Sequence, residues 1–211
     1  MEKETAIEGI ASHIATKTVA NAVALVGAAA TPLAAFVPFL VDALASGRQS
    51  RRLDAMFSEL TAVIQQHSEK IGEISDDQYK VINEAISAAF YTVDQRKLDI
   101  LKNAAANAFT KADAVSNISD ALSRVLRDIS SAEAAFVIQN FGFGLIVISD
   151  EDIGETEELK TLSVRPNSDE EIILSGLINL GLVYARASRW NVIGFEWSPL
   201  VVKLIRLLKD A

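Results

Sequence analysis

Apolar residues recur along this chain with the period of helices for most of its length, and switch to a strand period only near the C-terminus. The first patterned stretch, residues 18–41, TVANAVALVGAAATPLAAFVPFLV, carries no charge at all. Its length suits either one membrane-crossing helix or two shorter helices, because Pro32 and Pro38 interrupt any single helix. The hairpin reading places the apolar element at 18–46. Thr5 and Glu8 form a capping box for its first arm, and the chain turns near Thr31-Pro32. Val23, Leu25, Val26, Leu33, Phe36, Val37, Phe39 and Leu40 are the candidate membrane-segment residues. In the other reading the same side chains are buried in a soluble bundle.

Residues 48–70 predict an amphipathic helix with Leu53, Met56, Phe57, Leu60, Val63 and Ile64 on one face. Ser75 and Gln78 mark a capping box that opens a long helical run from about Asp76 to Phe109. Its apolar positions are Ile82, Ile86, Ala89, Phe90 and Val93, then Leu98, Leu101, Ala105 and Ala108, with a phase slip at Arg96-Lys97 where a bend or short break is expected. Asn103 and Asn107, four apart among alanines, either hydrogen-bond across a helix interface or face water.

A further helix carries Leu122, Val125, Leu126 and Ile129, and Ser130 with Glu133 caps the next one. The period then changes. Leu145–Ile148 reads as a strand, DEDIGETEE as an exposed loop, and 159–165 as a second strand before Pro166. Ser168 with Glu171 caps a helix whose Ile172, Leu174, Leu177, Ile178 and Leu180 form an apolar face. Two antiparallel strands follow around residues 187–189, and Ser198-Pro199 opens the closing helix PLVVKLIRLLKD.

The expected fold is therefore mainly α. A helical bundle with an apolar N-terminal helical hairpin occupies 1–117, and a small α+β unit with an acidic insertion at 150–158 occupies 118–211. Short helix, capped helix, hairpin and closing helix is the order of a winged-helix domain, and LINLGLV with SPLVVKLIRLL resembles its second helix, first wing strand and the helix after the wing. The arrangement as a whole resembles the alpha-type family of bacterial abortive-infection, phage-defence proteins. The residues that carry the likeness are the apolar segment 18–41, RRLDAMFSEL, KLDILKNAAANAF and LINLGLV with the closing helix. That resemblance implies a role in defence or toxicity and transfers no active-site residue.

Charge narrows the chemistry. Twenty Lys and Arg against twenty-eight Asp and Glu leave a net charge of −8, which argues against wholesale wrapping of nucleic acid. With no cysteine and two histidines, there is no disulfide, no thiolate metal site and no histidine-built zinc centre. No glycine-rich phosphate loop or grouped catalytic residues are present, so neither an enzyme nor a cofactor is expected. Arg186 and Arg189 at the presumed wing tip, with Lys203 and Arg206 beyond it, are the candidates for phosphate or partner contact. A protein-interaction or regulatory module, with a protein partner or a second copy, is the leading expectation. The alternatives are a membrane-acting effector inserting 18–41 and a DNA-binding winged-helix regulator, although in such a regulator the helix before the wing is polar or basic, and here it is acidic and apolar. The expected location is cytoplasmic, or at the inner membrane in the effector reading, since no secretory signal pattern opens the chain.

Overall fold

The computed structural model describes residues 47–150, 160–187 and 193–209. The apolar segment 18–41, with the hairpin expected at 18–46, lies outside the described residues, as do Arg189 and most of the acidic insertion. Among the described residues the protein is a mainly α-helical bundle with a small four-stranded sheet in its C-terminal part. No helix among them is long and apolar enough to cross a membrane.

Helix α1, Gly47–Gln66, buries Leu53, Met56, Leu60 and Ile64, the stripe that the periodicity predicts. A short 3-10 turn over Ser68–Glu73 follows it, and the capping box of Ser75 and Gln78 opens α2, Asp76–Tyr91. Gln78 has a second role. Its buried side-chain amide donates to the carbonyls of Ala108 and Phe109, 2.8 and 3.1 Å away, and so satisfies orphan groups at the end of the next helix.

The long run expected over 76–109 is two helices. The break falls at residues 92–94, just ahead of the phase slip at Arg96-Lys97, because Asp94 is a competent N-cap: its carboxylate accepts from the Arg96 amide at 2.9 Å and starts α3, Gln95–Thr110. Val93 is thereby moved off the apolar stripe and out into solvent. Helix α3 is the central post. Leu98, Leu101, Ala104, Ala105 and Ala108 are all fully buried, and the run of alanines lets neighbouring backbones approach closely. Arg52 reaches the Val93 carbonyl, Lys102 pairs with Glu59, and Lys70 reaches the Thr110 carbonyl, so α1 runs parallel to α3.

Helix α4, Ser119–Asp128, packs on α2, tied by Asp77 to Ser119 and by Lys80 to Asp120. Helix α5, Ser131–Asn140, starts with the expected capping box of Ser130 and Glu133. Strand β1, Leu145–Ile148, pairs in parallel with β2, Thr161–Val164, and antiparallel with β4, Ile193–Trp197; β4 pairs antiparallel with β3, Val183–Ala187. The sheet order is β2-β1-β4-β3. Helix α6, Asp169–Asn179, stands between β2 and β3, and α7, Pro199–Leu208, closes the chain. The expected short helix, capped helix, hairpin and closing helix are all present, with the two expected strands, β1 and β2, between the first two helices and paired in parallel.

The closing helix joins the two parts. Its buried face, Val201, Leu204, Ile205, Leu207 and Leu208, rests on α3 and α5. Its final carbonyls are held by α3: the Asn107 amide donates to Leu207 and Lys209 at 2.9 and 2.8 Å, and Asn103 donates to Leu208 at 3.4 Å. The two asparagines therefore bridge a helix interface, one of the two alternatives open from sequence.

Asn107→Ala leaves those buried carbonyls without their donor, and should lower stability by about 2 kcal/mol, more than Asn103→Ala, in urea titrations followed by circular dichroism. Acid should act on the α2–α4 tie. The Ser119 hydroxyl and then the Asn117 amide hold the Asp77 carboxyl below the usual carboxylate range. A depressed folded-state pKa adds stability above the unfolded value of about 3.9, and that stability is lost as pH falls through the folded value. Asp77→Asn should therefore be the less stable protein at neutral pH, with the gap to wild type closing below pH ~4 in thermal melts.

Candidate functional site

The candidate surface is the C-terminal unit: α6, the β3–β4 hairpin and the outer side of α7. Helix α6 is built by its caps. The Ser168 hydroxyl accepts from the Glu171 amide at 3.3 Å, while the Glu171 carboxylate accepts from the Asn167 amide at 2.6 Å, one residue earlier than an ideal capping box requires. Asn167 takes a positive φ of 58° to present that amide. At the other end Gly181 sits at φ 70°, with its own amide bonded to the Ile178 carbonyl at 2.9 Å and that of Leu182 to Leu177 at 2.9 Å. This closes a Schellman motif and turns the chain into β3.

One face of α6 is anchored by Leu174 and Leu177, both fully buried. The apolar face expected over 172–180 is only partly buried. Ile172 is 72% exposed, because the three- and four-residue recurrence Asp169, Ile172, Ser175, Asn179 lies on the far side from Leu174; Ile178, one turn after Leu174, is also exposed. Asp169 lies one turn before Ile172 on that side, and the exposed Glu170 lies around the helix from it; the charge of both suits the N-terminal dipole. Asp150 leaves the sheet at the same end, since Ser149 is bonded to the Val164 carbonyl at 2.9 Å, shortly before α6. The outer face of α6 is therefore acidic and apolar.

The basic residues chosen from sequence are engaged within the chain. Arg186 on β3 pairs with Glu196 on β4, which also accepts from the Tyr184 hydroxyl at 3.1 Å. That hydrogen bond from the Tyr184 hydroxyl, together with its desolvation, pushes its pKa up. Lys203 reaches the Asp113 backbone carbonyl, and Arg206 pairs with the Asp113 carboxylate at 3.0 Å. Lys203 and Arg206 thus share one partner residue at the foot of α3, whereas Arg186 belongs to the hairpin and Arg189 lies outside the described residues.

A second group of charges lies where α3, α4 and α5 meet. Asp94 accepts from the Ser131 hydroxyl, and the hydrogen bond to Ser131 is the main cause of its lowered pKa. Lys97 donates to the Arg127 carbonyl at 2.8 Å; burial lowers its pKa, opposed by Asp128, Glu133 and Asp94. Every member of this group has a structural partner that ties helix ends together. Sequence reasoning passed over it because its members are spread over 94–133 and only the capping signature at Ser130 was local. Among the described residues no group of three or more His, Asp or Glu could hold a metal ion.

Comparison with protein-family models, with curated protein sequences and with solved structures finds no match to this chain.

The turn that ends α6 makes a clean test of what holds this surface in place. A Cβ at Gly181 would meet nothing within 4 Å, so Gly181→Ala should cost only the left-handed backbone penalty, roughly 1 kcal/mol in urea denaturation. Gly142→Ala, equally unobstructed and without a positive φ, should fall within about 0.5 kcal/mol of wild type.

Proposed function

We propose that the protein is a non-enzymatic protein-interaction module, acting in bacterial phage defence, whose C-terminal unit docks a cationic, apolar segment of another protein on the outer face of α6. The observation that carries this reading is the composition of that face: Asp169 lies one turn from the exposed Ile172 on a doubly capped helix, and Glu170 adds exposed negative charge in the same first turn. An exposed apolar side chain rimmed by one sign of charge favours a partner with matching grease and opposite charge.

The same composition weighs against two other uses. Two copies meeting through α6 would bring like carboxylates together, so a different protein fits this face better than a second copy. For duplex DNA, the helix preceding the hairpin presents acid where phosphate contact needs cations, and Arg186, Lys203 and Arg206 are occupied by Glu196 and Asp113. The setting in phage defence rests on the resemblance in the apolar 18–41 segment, RRLDAMFSEL, KLDILKNAAANAF and LINLGLV, and a non-enzymatic module is compatible with that setting.

The test uses a fluorescent peptide of leucine and lysine only, with leucines at the spacing of one helical face, and a scrambled control. Fluorescence anisotropy should show salt-sensitive binding of the patterned peptide, weakened about tenfold by Ile172→Glu or by Asp169→Lys with Glu170→Lys, all exposed positions. Equal binding by these variants would sink the assignment to α6. Sequence-selective binding of duplex DNA at physiological salt, lost in Arg186→Ala, would overturn the protein-interaction reading itself.

A further inference from the structure

The two most exposed large apolar side chains of the described residues are two positions apart: Tyr91, the last residue of α2, is 83% exposed and Val93, in the turn between α2 and α3, is 80% exposed. Phe90, the neighbour of Tyr91, turns inward onto Phe57, with ring centroids 5.7 Å apart. Val93 stands immediately before the N-cap Asp94, the position from which a hydrophobic staple normally packs on the fourth residue of the helix. That residue is Leu98, which is almost fully buried, whereas Val93 is 80% exposed and so gains little cover from such a staple.

The turn also sits at a defined end of the molecule. Arg52 donates to the Val93 carbonyl at 2.7 Å, so the start of α1 lies beside the tip. Arg48, Arg51 and Arg52 fall in the first turns of α1, and the uncharged run 18–41 precedes that helix by only a few residues in sequence. Arg96, in the first turn of α3, is exposed beside the same turn, while the nearest acid, Asp94, is engaged by the Arg96 amide and the Ser131 hydroxyl.

An aromatic ring with a hydroxyl, a branched aliphatic side chain and the guanidiniums of Arg52 and Arg96 form the combination that rests at the boundary between acyl chains and anionic headgroups. We propose that the α2–α3 turn, with Tyr91 and Val93 at its tip and Arg52 beside it, is a membrane-contacting foot that seats in the interface of an anionic bilayer. The foot is distinct from any insertion of 18–41 and from the protein-binding face of α6, and it fixes which end of the bundle meets lipid.

The absence of cysteine from the whole chain makes the test direct, since a single introduced cysteine is the only labelling site. The full-length protein is prepared as Val93→Cys and, separately, Ser175→Cys on the outer face of α6, each carrying an environment-sensitive nitrobenzoxadiazole label. Vesicles of phosphatidylcholine with phosphatidylglycerol should shift the emission of the label at 93 to the blue and expose it to quenching by nitroxide-bearing lipid, with no change at 175. Tyr91→Ser with Val93→Ser, two exposed changes that leave the melting curve in place, should weaken vesicle partitioning about tenfold. A protein that binds vesicles while the label at 93 stays in water would overturn the proposal, leaving 18–41 or another surface as the attachment. So would a protein that binds no vesicle, and so would a label already shifted in lipid-free buffer, which would place protein rather than lipid over the tip.

Discussion

The carbonyl groups at the end of α7 set the constraint on which the rest of the structure depends. A helix that closes on a buried face cannot leave its last carbonyls to water, and α7 has no glycine with which to turn them back on itself. Asn107 and Asn103 supply the missing donors from the middle of α3. This one arrangement requires a wholly buried asparagine in the central post and alanines around it, so that α7 can come close enough. It also requires the sheet that precedes α7 to sit over α5, where Trp197 packs on Phe136 and donates to the Phe143 carbonyl at 3.0 Å. Bundle and sheet unit are thereby one packed body along α3 and α5.

Helix ends govern the other polar and charged residues in the same way. Gln78 at the start of α2, Asp94 before α3, and Lys203 with Arg206 on α7 each have a side chain committed to a terminus or to the turn beside it. A surface cation whose partner is a backbone carbonyl or a single carboxylate gains little stability by itself. Such a cation must nevertheless give up that partner before it can neutralise a phosphate. The net negative charge of the chain is consequently not offset by a concentrated basic surface on the C-terminal unit, and the exposed acid of α6 dominates there.

Much of this was legible in the sequence because its signals are local. The boxes at Ser75–Gln78 and Ser130–Glu133, the strand at 145–148 and the proline that opens α7 each depend on residues within a few positions of one another. The hairpin strands and α6 followed for the same reason. What was not legible is set by contacts between distant segments. Strand β2 was expected simply as a returning strand, and its parallel pairing with β1 depends on where the intervening loop lets it land. The side chains of α6 were read as one apolar face, but only Leu174 and Leu177 are fully buried while Leu180 packs partly against the core and Ile172 and Ile178 are exposed, and periodicity cannot say how much of an apolar arc a neighbour will cover. For Arg186, Lys203 and Arg206, three of the four nominated cations, sequence showed the charges and concealed Glu196 and Asp113, their partners.

The break between α2 and α3 shows how a local preference can override a periodic one and create a surface. The apolar pattern continues through residues 90–98 with only a phase slip, and an unbroken helix would have kept Val93 near the stripe. Asp94 ends that continuity by offering its carboxylate to the Arg96 amide, while Ser131 from α5 holds the same carboxylate by a second bond. The cap is therefore secured by a tertiary contact, and the chain leaves α2 in extended conformation at Thr92. Once Asp94 is fixed, Leu98 is drawn fully into the core and Val93 is carried away from it. Exposure of Val93 is thus a consequence of the capping geometry at Asp94, while Tyr91 at the end of α2 already lies off the buried stripe. A tip held in that way presents its apolar side chains without the entropy loss that ordering a mobile loop on a surface would require.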